Sequence, residues 1–163
     1  MRLTAEVVIC GAGIGGAAAA YFLTSRFGVR DVLIVDERPP LSLTSDKSTE
    51  CYRNWWPGPG DAMVRMMNRS IDLLEELAEA HQNVFHLNRR GYLYATTELA
   101  RIADLQGFGE EASALGAGEL RVHGIGSKSY LPHKPEGYLD AQEGADLITD
   151  QGLIRDLSLI HIS

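Results

Sequence analysis

Cysteine is scarce: Cys10 and Cys51 are the two in 163 residues, and they stand in neither a metal-binding nor a redox spacing. That excludes a disulfide framework and leaves the plain reading of two reduced thiols in a cytoplasmic protein. The five histidines, His81, His86, His123, His133 and His161, are scattered without ligand spacing, so no metal is assigned. Basic charge is also short, with 15 Lys and Arg against 22 Asp and Glu, a formal net charge of −7 and a pI near 5.2. No basic face is apparent, which argues against a nucleic-acid surface and for a solvated acidic one. The first residues show no basic, apolar and small-residue succession of a secretion signal. Residues 7–25 carry no charge, but clustered glycines and a strand-then-helix pattern make them a buried βα segment rather than a membrane span. Repeats and low-complexity blocks are absent. The hydrophobic fraction of 45% and charged fraction of 23% are those of an ordinary globular chain, with room for one domain and part of another.

The most informative stretch is residues 6–36, EVVICGAGIGGAAAAYFLTSRFGVRDVLIVD. The pattern predicts a βαβ unit: a strand over 7–10, a turn over 11–16, a helix over 14–27 and a second strand over 32–35. Gly11-x-Gly13-x-x-Gly16 has the dinucleotide-binding spacing. Gly11 turns the chain off the strand, Gly13 offers no Cβ against a pyrophosphate, and Gly16 lets the helix close on the strand. The N–H groups of Ala12, Ile14 and Gly15 share the same turn and helix start, where the positive end of the helix dipole favours an anion. Asp36, at the end of the second strand, is positioned to accept hydrogen bonds from a ribose hydroxyl pair, with Glu37 the alternative if the strand runs one residue longer. A carboxylate there would repel a 2′-phosphate. Because the glycines follow a strand, open a helix and are answered by this carboxylate, the motif has the context that dinucleotide binding requires.

Beyond Asp36 lies Arg38-Pro39-Pro40 and then a polar loop over 44–60. Its Ser45, Lys47, Ser48 and Thr49 supply hydroxyls and one positive charge, suited to an extended anionic cofactor, or are merely the polar residues of a surface loop. Asp61 is placed to cap a helix reaching about residue 81. Met63, Met67, Ser70, Leu74 and Leu77 share one face of it, while Arg65, Arg69, Asp72, Glu76 and Glu79 point largely away. The methionines read as core filling. GYLYAT, residues 91–96, alternates bulky and small residues and reads as a strand. Residues 97–117 read as helical, with Gly107 and Gly109 as points of division, and 118–140 as short strands and turns.

VVICGAGIGGAAAAYFL, VLIVDERPP, the Ser/Thr loop ending near Arg53, the following helix and GYLYATTE together resemble the amino-terminal part of the D-amino-acid oxidase superfamily of FAD-dependent oxidoreductases. Sarcosine, glycine and dimethylglycine oxidases and dehydrogenases belong to it. The resemblance covers roughly residues 6–156. It implies an α/β fold: a Rossmann-like FAD-binding βαβ domain over 1–90, followed by the beginning of an α+β substrate domain over 91–156. It further implies that Gly11, Gly13 and Gly16 with the intervening N–H groups hold the FAD pyrophosphate. Asp36 would hold the adenosine ribose, Glu37 and Arg38 would flank the adenosine, and Ser45, Lys47, Ser48 and Thr49 would pass near the pyrophosphate and flavin. Arg53 sits near an arginine that pairs a substrate carboxylate in sarcosine-oxidase-like members, but a plain structural or solvated arginine is the reading preferred for it.

The implied chemistry is hydride transfer from the carbon of a C–N bond to the flavin, giving an imine that water hydrolyses, with reoxidation by oxygen or another acceptor. The substrate would be a small amine or amino acid. The flavin carries the reaction, and no catalytic base is identified among these residues. The alternatives are an FAD oxidoreductase acting on a hydroxy acid or NAD(P)H, and a nucleotide-binding subunit without turnover. The last seven residues, LSLIHIS, are identical to one reading-frame translation of the transposase mosaic-end adapter used in sequencing libraries. They read as an artefact outside the fold, with the native sequence interrupted at or near Asp156 and the chain as written expected to be inactive alone.

Overall fold

The computed structural model describes residues 4–56, 58–127, 130–134 and 136–160. The chain forms two compact units, Met1–Cys51 and Tyr52–Ser163.

The first unit is a parallel strand pair joined through a helix. Strands β1 (Val7–Cys10) and β2 (Val32–Val35) are made almost wholly of β-branched and aliphatic residues and pair in register from Val7↔Val32 to Cys10↔Val35. Helix α1 (Ile14–Ser25) crosses between them, its four consecutive alanines allowing close packing on the pair. Thr24 closes the last turn by donating its hydroxyl to the Ala20 carbonyl at 2.9 Å. Gly28, at φ +68°, then turns the chain so that the Val29 N–H reaches the Leu23 carbonyl at 3.0 Å. The strand bounds agree with the sequence expectation, and the helix ends two residues sooner than residue 27. Within the polar loop a single helical turn forms, α2 (Thr44–Lys47).

The second unit contains α3 (Ala62–Ala80), α4 (Arg101–Ala114), β3 (Leu120–His123), β4 (Ala145–Ile148) and α5 (Gln151–Ile160). β3 and β4 form a second two-stranded parallel sheet, and α4 packs on both strands. Its core is Val64, Ala112 and Ala117, with Trp55, Trp56 and Leu115 packed against them. Asn68 of α3 ties this together by donating to the Gly116 carbonyl at 2.8 Å and accepting from Asn54 at 2.8 Å. No helix among the described residues is long and apolar enough to cross a membrane.

Four expectations change here. Residues 91–96 form no strand: alternation sets the faces of Tyr92 and Tyr94, but no neighbouring strand among the described residues supplies a ladder, and the tyrosines stack on each other instead. The helix expected over 97–117 runs over Arg101–Ala114 and is not divided by its glycines. At Gly109 a Cβ would stand 2.8 Å from Leu120 Cδ1, so this is where α4 comes closest to the β3 side chain. In α3, Val64 and Ala78 are fully buried while Met63 is exposed, so the inward stripe runs Val64, Ile71, Ala78 with Met67 and Leu74 beside it. Asp61 makes no side-chain cap; its carboxylate lies 3.6 Å from Arg65, one turn along. Helix α5 continues through Leu157 to Ile160, and residues 161–163 of the seven-residue tail lie outside the described residues.

Candidate functional site

The glycine-rich turn between β1 and α1 is held from three sides. Gly11 adopts φ +108°, a conformation that a side chain opposes, and its N–H continues the sheet ladder to the Val35 carbonyl at 2.8 Å. Ala12 is buried; its N–H donates to Asp36 Oδ2 at 2.7 Å and its carbonyl accepts from the Leu41 N–H at 2.9 Å. Gly13 caps α1 in an extended conformation, and its carbonyl takes the Ala17 N–H at 2.9 Å. The Ile14 N–H donates to Ser45 Oγ at 3.0 Å. A Cβ on Gly16 would run into the Gly11 carbonyl and come within 3.4 Å of Ile9 Cγ2, so this glycine sets the closeness of helix and strand.

That accounting leaves donors over. The N–H groups of Gly13, Gly15 and Gly16 have no acceptor among the described residues. Two of them belong to the first turn of α1, where a helix cannot satisfy its own donors and where its dipole is positive. Unpaired N–H groups at a helix start are donors that an anion can take up without a lysine or arginine.

Asp36 lies just past β2. Its Oδ1 accepts from the Arg38 N–H at 2.9 Å while Oδ2 holds Ala12. The Ala12 and Arg38 N–H donors hold its carboxyl below the ordinary carboxylate value, so it is charged at neutral pH. Each oxygen keeps a further lone pair for a hydroxyl donor. Arg38 pairs with Glu37 at 3.3 Å, both side chains largely in solvent. An open cleft of about 350 Å³ lies beside these residues, lined by Ala12, Ala17, Ile34, Asp36, Arg38, Pro40 and Leu41. Its walls are mainly apolar with a carboxylate and a guanidinium at the edge, the mixture that a small planar, polar-rimmed group requires.

Of the loop residues expected at the turn, Ser45 is brought to it. Lys47 pairs with Asp46 at 2.5 Å, Ser48 donates to Glu50 Oε1 at 2.6 Å, and the Thr49 carbonyl accepts from the Cys51 thiol at 3.5 Å.

Arg53 belongs to the second unit. Its guanidinium carbon stands 4.3 Å over the Trp56 ring and 5.5 Å from that of Tyr92. Tyr92 stacks on Tyr94, which in turn contacts Trp55 with ring centroids 5.0 Å apart. Sequence reasoning singled out the arginine and missed the aromatic belt; the available signal was Trp55-Trp56 followed by two tyrosines at a spacing of two. A second group was missed altogether. Arg121 forks onto Asp146 with bonds of 2.9 and 2.8 Å, and buried His123 places Nε2 2.8 Å from Asp146 Oδ1. Among the described residues no group of three or more His, Cys, Asp and Glu side chains is arranged to hold a metal ion.

A family model described as FAD dependent oxidoreductase (DAO) matches residues 6–160. No curated protein and no solved structure matches the chain.

Proposed function

The chain belongs to the DAO family of FAD-dependent oxidoreductases, and from that premise we propose that the protein oxidises the C–N bond of an amine or amino acid, with the first unit holding the cofactor. The observation that carries the cofactor assignment is the set of unfilled N–H donors at Gly13, Gly15 and Gly16, with the charged Asp36 carboxylate beside the same turn. This donor set fits a dinucleotide: N–H groups at a helix start for the pyrophosphate, a carboxylate for the ribose hydroxyls, and an apolar-walled cleft for the adenosine.

In this reading the backbone of residues 11–16 binds the pyrophosphate and Gly13 admits it by having no Cβ. Asp36 orients the adenosine ribose, with Glu37 and Arg38 beside the adenosine. Ser45, Lys47, Ser48 and Thr49 offer hydroxyls and a charge along the pyrophosphate and flavin. When bound, FAD supplies the two-electron acceptor for the substrate carbon. Arg53 is the candidate for a substrate carboxylate: stacking on Trp56 fixes the guanidinium by its face and leaves its N–H edge for a bidentate, in-plane acceptor.

The test is anaerobic mixing of the FAD-loaded protein with sarcosine, glycine, D-amino acids, hydroxy acids and NAD(P)H. Bleaching of the flavin band by an amine or amino acid supports the proposal. Bleaching by hydroxy acids or NAD(P)H alone replaces it with that chemistry, and FAD binding without bleaching by any donor supports a nucleotide-binding subunit instead.

A further inference from the structure

We propose that in the cofactor-free chain the Ser45 hydroxyl occupies the seat of a phosphate oxygen, and that residues 42–49 form a strap from which cofactor binding displaces it. The inference rests on the reading of the glycine-rich turn as the pyrophosphate cradle. Two observations put Ser45 in that seat. Its Oγ accepts the Ile14 N–H at 3.0 Å, the donor at the start of α1 that would otherwise face an anion. The same Oγ stands 3.5 Å from where a Cβ on Gly13 would be, so it covers the face that the glycine keeps open for close approach.

The strap is built to move. It is bracketed by two non-glycine residues in the left-handed region, Leu41 at φ +61° and Glu50 at φ +54°. Leu41 anchors the near end through its N–H on the Ala12 carbonyl at 2.9 Å. Between them α2 is a single turn with no side-chain cap and no buried residue. A hydroxyl is a neutral acceptor, whereas a phosphate oxygen is charged and makes a bond to N–H about twice as strong. The exchange of one for the other on Ile14 therefore runs toward the phosphate, and until then Ser45 spares the helix start an unmet donor.

The experiment is amide hydrogen exchange at Ile14, read by NMR on the full chain, free and at saturating FAD, for wild type, Ser45→Ala and Ser45→Thr. In the free protein Ser45→Ala is expected to speed exchange of Ile14 by about fivefold, the factor that a cap of ordinary strength sets on an equilibrium, with Ser45→Thr restoring protection. At saturating FAD, wild type and Ser45→Ala should become equally protected, because the acceptor is then the cofactor in both. A difference that persists at saturation means that Ser45 stays on Ile14 and overturns the displacement, leaving the cofactor reading intact. No difference in the free proteins also overturns it. If FAD binds but leaves Ile14 unprotected in Ser45→Ala, or does not bind at all, the reading of the turn itself fails, and the inference fails with it.

Discussion

Replacing Gly16 by alanine tests how the turn is built. A helix ordinarily prefers alanine to glycine by about 1 kcal/mol. At this position the added Cβ would overlap the Gly11 carbonyl oxygen, stand 3.0 Å from the Gly11 carbonyl carbon and 3.4 Å from Ile9 Cγ2. The obstacle is backbone, held by the Gly11 N–H bond to Val35 at 2.8 Å, so it cannot swing aside as a side-chain end would. Overpacking of this kind costs about 1–3 kcal/mol, and with a rigid backbone obstacle the upper end applies. The net expectation is a loss of about 1–2 kcal/mol from the first unit. Gly15→Ala is the matched control, because a Cβ there meets nothing within 4 Å and the helix preference acts unopposed. Hydrogen exchange of the β1 and β2 amides reads the stability of this unit by itself. Exchange should quicken by about 5–30-fold in Gly16→Ala and slow or stay level in Gly15→Ala. Equal or slower exchange in Gly16→Ala would refute the claim that this glycine sets the distance between helix and strand.

Three further outcomes are expected. Asp36→Asn should weaken FAD binding by about tenfold or more in a fluorescence titration, since hydrogen bonds to a charged acceptor are the stronger class; because the Ala12 and Arg38 N–H groups lower the Asp36 carboxyl, what it adds to the folding stability of the first unit is fully present above about 3.8 and is lost as pH falls through the lower folded value. For Asp146, burial pushes the carboxyl up, but the hydrogen bonds from Arg121 and His123 outweigh burial and leave it lowered, so the second unit should hold that stability above about 3.8 and lose it in stronger acid. Asp146→Asn, which leaves Arg121 without its counter-charge, should cost that unit about 3 kcal/mol in urea denaturation at neutral pH and flatten the acid dependence. Arg53→Lys should raise KM for an amino-acid substrate far more than it lowers kcat, because a lysine keeps the charge but loses the stacked planar fork; an unchanged KM would remove Arg53 from substrate recognition.

The first unit was legible in the sequence because its information is local. Four apolar residues, a glycine turn and a second apolar run define both strands, and Asp36 falls beside the turn through the pairing of Val35 with Cys10. What was not legible depended on partners distant in sequence. Residues 91–96 alternate as a strand does, but alternation gives faces and says nothing of a neighbour to pair with. Ser45 was recognisable as a loop hydroxyl, whereas its bond to Ile14 spans 31 positions. The Arg121, His123 and Asp146 group has no spacing signature, because the pairing of β3 with β4 assembles it across 23 and 25 positions. Gly109 looked like a helix breaker and proved to be a contact point, a role that appears only once Leu120 lies against it.

That group also acts as an index mark for the second sheet. β3 and β4 run parallel with Arg121 opposite Asp146, and the 21 residues between them contain no helix among the described residues to dictate their alignment. A shift of one residue would set Arg121 against Ala145 or Leu147 and would turn the carboxylate to the other face of the strand. The two strands therefore carry their own alignment in one charged contact. The Glu143 carbonyl, two residues before β4 begins, takes a further Arg121 N–H at 2.6 Å and so fastens the start of β4 to the same side chain.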